Sequence, residues 1–231
     1  MDVAEFDKFA EEYLAVHADN IKLSGEDPEY FARYKIEELR RRWTAAGRPE
    51  PRSALDFGTG IGNSIPHLAK AFPDAAITGL DVSQKSLAVA ERRFGGLAQF
   101  TLGEGLRMPF EDASFDLIFS ACVFHHIDAD EHRAIFSELR RLLRPGGLMA
   151  IFEHNPINPA TRHIVATCPF DENAVLIRAE DLKRRQLDAG FSQVDVAYTA
   201  FFPGALRLLR PLEPHLAACP LGAQYYTLAH V

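Results

Sequence analysis

From residue 53 to residue 153, short apolar runs alternate with amphipathic stretches, and few folds accept that rhythm. The runs cover 54–57, 76–80, 99–102, 117–121 and 148–152. Between them lie stripes at helical spacing: Ile65, Leu68, Ala69 and Phe72; then Leu87, Ala90 and Phe94; then Ile135, Leu139, Leu142 and Leu143. Strands and helices in that order build βαβ units around a mostly parallel sheet. Asp128, with Glu131 three residues on, predicts the start of the third helix, and Pro145-Gly146-Gly147 predicts its end.

Either flank behaves differently. Ile36, Leu39 and Trp43 keep helical spacing until Gly47 and Pro49, so residues 1–50 read as a helical cap ahead of a core over 51–231. Beyond Glu153 the alternation breaks. Residues 154–178 carry three prolines and no strong period. An insertion of that length in a compact domain is more often functional than idle, and we expect a lid there. A helix over 179–189, stopped by Gly190, and two strands over 194–199 and 225–231 complete the pattern, with a proline-punctuated stretch over 203–220 between those strands.

Composition narrows the function classes. With 25 basic and 32 acidic residues the formal charge is −7, which repels a phosphate backbone and disfavours nucleic acid as a partner. The basic groups Arg140, Arg141, Arg144 and Lys183, Arg184, Arg185 read as solvated helix faces. Cys122, Cys168 and Cys219 lie far apart without a zinc-type spacing, so no metal is expected, and Cys122 reads as core. An odd cysteine count and an acidic, amphipathic segment 1–12 point to reduced thiols in the cytoplasm. No apolar run reaches the length of a membrane span, so no membrane partner is expected.

Leu55-Asp56-Phe57-Gly58-Thr59-Gly60-Ile61-Gly62 starts in a strand and ends at a helix. Glycines there let the backbone bend sharply and approach a ligand, and the following helix start offers unpaired N–H groups. Asn63 stands where a dinucleotide fingerprint has its third glycine. Asp56 would repel a pyrophosphate and suits a cationic ligand. Asp81, at the end of the second run, is placed to accept ribose hydroxyls; its alternative reading is a helix-start acid beside Ser83.

On these residues the chain resembles the class I S-adenosylmethionine-dependent methyltransferases. Asp56 to Gly62 is similar to their first motif, acid-x-Gly-x-Gly-x-Gly, and Asp81 to their second acidic position. Gly103-Glu104-Gly105 resembles the third, with Glu104 and Gly105 replacing the commoner Asp and Ala. Met108-Pro109-Phe110, Ser114-Phe115-Asp116 and Arg144-Pro145-Gly146-Gly147 resemble the approaches to the fourth and fifth strands. The resemblance implies an α/β, Rossmann-like doubly wound sheet of seven mostly parallel strands, the last antiparallel. It implies S-adenosyl-L-methionine as cofactor. Asp56, Gly58, Thr59, Gly60 and Gly62 would hold its methionine part, Asp81 the ribose, Val82 the adenine ring, Glu104 with Gly105 the adenine amino group, and backbone near Ser120 and Ala121 the ammonium group. Similarity to the ubiquinone and menaquinone C-methyltransferases implies a small-molecule acceptor.

Methyl transfer from a sulfonium needs alignment, exclusion of water and management of one proton. His125 and His126 follow the fourth run; Glu153, His154 and Asn155 follow the fifth. We take His126, His154 and Glu153 as catalytic candidates. For His126, site lining and structure are the alternatives, and for the Glu153 cluster turn chemistry is; His125 reads as structural. Tyr13 and His17 share a helix face. A nicotinamide dehydrogenase is the rival enzyme, opposed by Asp56 and the missing third glycine. A module that binds S-adenosylmethionine without turnover is the rival non-enzyme. The run Ser120-Ala121-Cys122-Val123 lacks the Asn/Asp-Pro-Pro-aromatic sequence of amino-methylating nucleic-acid enzymes.

Overall fold

The computed structural model describes Ile21, residues 24–103 and residues 105–231. Tyr13, His17, Glu104 and most of the N-terminal half of the expected cap lie outside the described residues. The strands are β1 (Ser53–Phe57), β2 (Ala76–Asp81), β3 (Gln99–Leu102), β4 (Phe115–Ala121), β5 (Leu143–His154), β6 (Gln193–Thr199) and β7 (Gln224–His230). They form one sheet in the order β3-β2-β1-β4-β5-β7-β6. β1 to β5 pair in parallel, and β7 runs antiparallel to both β5 and β6.

Alternate residues along each central strand feed opposite cores, because successive side chains leave a strand on opposite faces. Leu55, Ile118, Met149 and Ile151 join Phe124, Phe136, Leu139 and Leu182 on one side. Ala54, Leu117, Phe119, Leu148, Ala150 and Phe152 join Ile36, Leu39, Trp43 and Leu68 on the other. A sheet buried on both faces gives near-continuous apolar strands, which is why the runs were legible without a period of two.

Helix α1 (Pro28–Ala45) starts at Asp27, whose carboxylate accepts the Tyr30 N–H at 2.6 Å, with proline in the first turn. Its stripe of Ile36, Leu39 and Trp43 packs on α2 (Ile65–Ala71), the Trp43 and Phe72 rings lying 5.6 Å apart. Helix α3 (Gln84–Phe94) is capped by Ser83, and α4 (His132–Leu142) and α6 (Ala179–Asp188) cover the opposite face.

Three expectations need correction. Asp128 does not cap α4: the helix begins at His132 without a side-chain cap, since 129–131 form a separate turn. The Pro145-Gly146-Gly147 turn lies inside β5, where Leu143 pairs with Phe115 and, after an irregularity, Leu148 pairs with Leu117. Extra residues there are absorbed as a bulge rather than as a gap between elements. Residues 154–178 contain regular structure: helix α5 (Pro159–Thr167), capped by Asn158, and a 3-10 turn at Pro169–Asp171. No described helix is long and apolar enough to cross a membrane.

Candidate active site

The order of strands reverses between β1 and β4, so their C-terminal ends splay apart and open a crevice. A cavity of about 670 Å³ occupies it, reached by residues from β1 and β2, from the β4 and β5 ends, from α1 and from the 154–178 segment.

On the β1 side the bend is tied to β2 by Leu80, whose carbonyl accepts the Gly58 and Thr59 N–H groups at 2.8 and 3.0 Å. Gly58 has a φ of +73°, and a Cβ there would lie 2.3 Å from Val123 Cγ2, so glycine is required twice over. Gly60, at φ +52°, has open space where a Cβ would point. Asp81 accepts the Gly60 N–H through Oδ2 at 2.8 Å and the Ser83 N–H through Oδ1 at 2.9 Å. The Ser83 contact fits the helix-start reading of Asp81, and its place on the cavity wall leaves the ligand reading as an expectation. Asp56 is 2% exposed and accepts the Thr59 hydroxyl at 2.8 Å. Burial pushes its carboxyl up to about 7; the Thr59 bond opposes this and the Asp81 charge adds to it.

Of the predicted cofactor residues, Asp56, Gly58, Thr59, Gly60, Asp81, Val82, Gly105 and Ala121 line the cavity. Gly62 instead abuts α3, where a Cβ would meet Phe94 at 2.9 Å. Ser120 is fully enclosed, and its hydroxyl has no hydrogen-bond partner.

On the β4 side the chain turns through Cys122, a non-glycine residue at φ +59°. That backbone state is costly for a side chain and persists only where the surroundings fix it. Here the Cys122 N–H donates to Phe152 O at 2.8 Å, and Lys35 Nζ of α1 donates to its sulfur at 3.3 Å. Cys122 is half-buried and faces the cavity, which corrects its reading as core. Burial alone would raise its thiol, but the His154 and Lys35 charges override that and bring it down to about 6. Burial alone would lower His154, and the adjoining Cys122 raises it instead.

Glu153 binds the next turn rather than the cavity. Its Oε1 accepts the Val123 and Phe124 N–H groups at 3.1 and 2.8 Å, and Oε2 lies 2.5 Å from His125 Nδ1. Despite burial, the His125 charge holds Glu153 below its ordinary range. His125 is pushed up to about 10, with burial opposing and Glu153 and Asp171 prevailing. His132 reinforces the turn, its Nε2 lying 3.1 and 3.0 Å from the Phe124 and Ile127 carbonyls. Asn155, by contrast, is a strut: its amide donates to Pro220 O and Gly222 O at 2.9 and 2.8 Å.

His126 and His154 line the cavity, as do Thr161, Ile164, Cys168 and Asp171 from the segment beyond β5. Asp171 Oδ1 lies 3.4 Å from His125 Nε2 and 3.3 Å from His126 Nε2. Sequence reasoning missed Asp171 and Lys35. Lys35 had a signal: a charged side chain on the apolar face of α1, one turn before Leu39. Asp171 had none, since only the fold carries it to the β4 turn.

Residues 54–147 match a family model described as a methyltransferase domain. Over this stretch the chain is similar to the class I S-adenosylmethionine-dependent methyltransferases. The chain is 37% identical over 108 residues to a demethylmenaquinone methyltransferase of Thermotoga maritima, covering 47% of this chain and 46% of that protein. It is 31% identical to a trans-aconitate 2-methyltransferase of Acidovorax sp., covering 54% and 48%. The chain thus spans about half the length of these relatives. Across the fold, it matches the crystal structure of an S-adenosylmethionine-dependent methyltransferase from Thermotoga maritima with a TM-score of 0.67 at 19% identity, covering 98% of both chains. The lining at this end fits a cationic nucleoside of that kind: open space at Gly60, carboxylates at Asp56 and Asp81, and apolar walls at Val82 and Leu102.

Proposed function

We propose that the chain transfers a methyl group from S-adenosyl-L-methionine to a small-molecule acceptor. The observation that carries this is the continuity of the cavity. One end is the glycine bend of the matched stretch, and the other is a wall that carries His126 inside the family match and His154, Ile164 and Asp171 beyond it. The relatives named for demethylmenaquinone and trans-aconitate act on small molecules, which supports the same class here.

The cofactor supplies a methyl group already activated by a positive sulfur. What the chain adds is placement. Gly58, Thr59 and Gly60, with Asp56 buried behind them, hold the amino-acid part, and Ala121 closes it from β4. Asp81 and Val82 hold the nucleoside, with Glu104 and Gly105 toward the base. Gly62 contributes by seating the loop on α3, and Ser120 by its backbone. His126 and His154 face the acceptor space and are placed to line it and to manage its one proton, while Glu153 is a positioning residue acting through His125. Residues 154–178 and α1 enclose the acceptor space. The negative charge and the three free cysteines support a cytoplasmic protein that does not act on nucleic acid.

Calorimetric titration with S-adenosylhomocysteine, followed by a screen of small molecules for labelled-methyl uptake, tests this reading. Binding and transfer to a phenolic, enolic or carboxylic acceptor are expected. A folded chain that gives no heat with S-adenosylhomocysteine, yet is stabilised against melting by NAD(H), would overturn it.

A further inference from the structure

The turn after β4 and the 3-10 turn at Pro169–Asp171 bring together three atoms of metal-ligating type: His125 Nε2, His126 Nε2 and Asp171 Oδ1. We propose that these residues bind one divalent first-row transition ion, zinc by donor type, on the acceptor side of the cavity.

Spacing is the first argument. A tetrahedral ion with bonds of about 2.0–2.1 Å keeps its donors about 3.3 Å apart. Asp171 Oδ1 lies 3.4 Å from one imidazole nitrogen and 3.3 Å from the other, and all three atoms fall within 4.8 Å of one another. Adjustment of the His126 ring closes the remaining edge.

Orientation is the second. Glu153 Oε2 sits 2.5 Å from His125 Nδ1 and is itself fixed by two backbone N–H groups. A carboxylate behind a ligand imidazole sets its tautomer and aims the other nitrogen at the ion. That nitrogen, His125 Nε2, is fully enclosed, and among the described residues it meets only the Asp171 carboxylate, at 3.4 Å and without hydrogen-bond geometry, so a better partner has room to bind it.

Donor type and charge complete the case. Two imidazoles and a single carboxylate suit zinc, cobalt or iron and are too poor in oxygen for magnesium or calcium. A dication would offset Glu153 and Asp171, while Lys35 compensates Cys122 on the far side of His154. Ligands from three residues leave a fourth position, and since all three line the cavity it opens toward the acceptor. This last point rests on the methyl-transfer reading: the ion would anchor an oxygen of the acceptor, as phenolate, enolate or carboxylate.

The test uses the full chain stripped of metal and titrated with Co²⁺, with metal per chain measured after gel filtration and the visible absorption recorded. One Co²⁺ per chain with the intense bands of a four-coordinate site is expected. Asp171→Asn and His126→Asn should each weaken retention at least about a hundredfold while keeping a cooperative melting transition, and Glu153→Gln about ten- to a hundredfold. Should Asp171→Asn not fold, His126→Asn carries the test alone. No retained ion in the unaltered chain overturns the proposal. Equal retention in the His126 and Asp171 variants, or a thiolate charge-transfer band placing the ion on Cys122, also overturns it. A parallel titration of the unaltered chain with S-adenosylhomocysteine separates this failure from failure of the methyl-transfer reading.

Discussion

Along the β1 and β2 ends, the cavity wall comes from residues close in the chain: Asp56 to Gly60 and Asp81 to Ser83, linked by backbone bonds to Leu80 and Asp81. Along the β4 and β5 ends it is assembled from Lys35, Cys122, His126, His154 and Asp171, held by side chains across long separations in sequence. The first wall is a local backbone shape, which glycine placement encodes directly. The second is a set of charges balanced against one another, each depending on where other elements dock. A local bend can be kept by a motif, whereas a docked charge network is free to differ with the acceptor.

Breaking the second wall should cost most. Glu153→Ala leaves His125 Nδ1 without its carboxylate and the Val123 and Phe124 N–H groups without their acceptor, and loss of one member of a buried pair costs about 3–5 kcal/mol. Denaturant unfolding should show that loss while S-adenosylhomocysteine affinity changes less than threefold; an equal fall in affinity would mean the walls are not separable. Gly58→Ala is next, because its Cβ meets Val123 and its backbone is left-handed. A loss of about 2–3 kcal/mol is expected, with both stability and cofactor affinity affected, since this contact joins the walls. Asp81→Ala should raise the dissociation constant for S-adenosylhomocysteine more than tenfold, about 1.4 kcal/mol, and part of that is the loosened Gly60 and Ser83 N–H groups. Unchanged affinity would remove Asp81 from the site.

The last effect is in pH. Asp56 has its carboxyl raised from 3.8 to about 7, so the folded chain binds its proton more tightly than the unfolded chain does. Its contribution to stability is therefore complete below about pH 4 and is lost as pH climbs through about 7. Affinity for the cationic amino-acid part of the cofactor should move the opposite way, rising through the same window as the carboxylate forms. Asp56→Asn should flatten both profiles, and a profile unchanged by that substitution would locate the titration elsewhere.

The same contrast governs what the sequence made legible. The central strands were readable from apolar runs, because burial on both faces leaves little room for polar interruption, whereas the edge strands β3 and β6 are partly exposed. Most of the β1-side residues were readable because a tight bend must be written in consecutive glycines. Cys122 was misread: its left-handed turn follows from the fit of Phe152 and Lys35, and nothing beside it in the chain announces that. Asp171 sits in an ordinary Pro-Phe-Asp turn, and only the Val175 N–H donating to His125 O at 2.8 Å, together with α5, brings it to the histidines. Asn155 read as part of a turn, yet it also braces residues 220–222, and Asn158, which the sequence reading passed over, caps α5.

β7 is translated after all six of its sheet-mates and yet lies between β5 and β6. Until residues 224–230 emerge from the ribosome, one edge of β5 and one of β6 have no neighbour, and their backbone groups are open to other chains. Pairing across so long a separation is also slow. The nascent protein is thus most exposed to aggregation in the interval before residues 224–230 are made, when five parallel strands can already be assembled and the sheet still waits for the strand that joins its two parts.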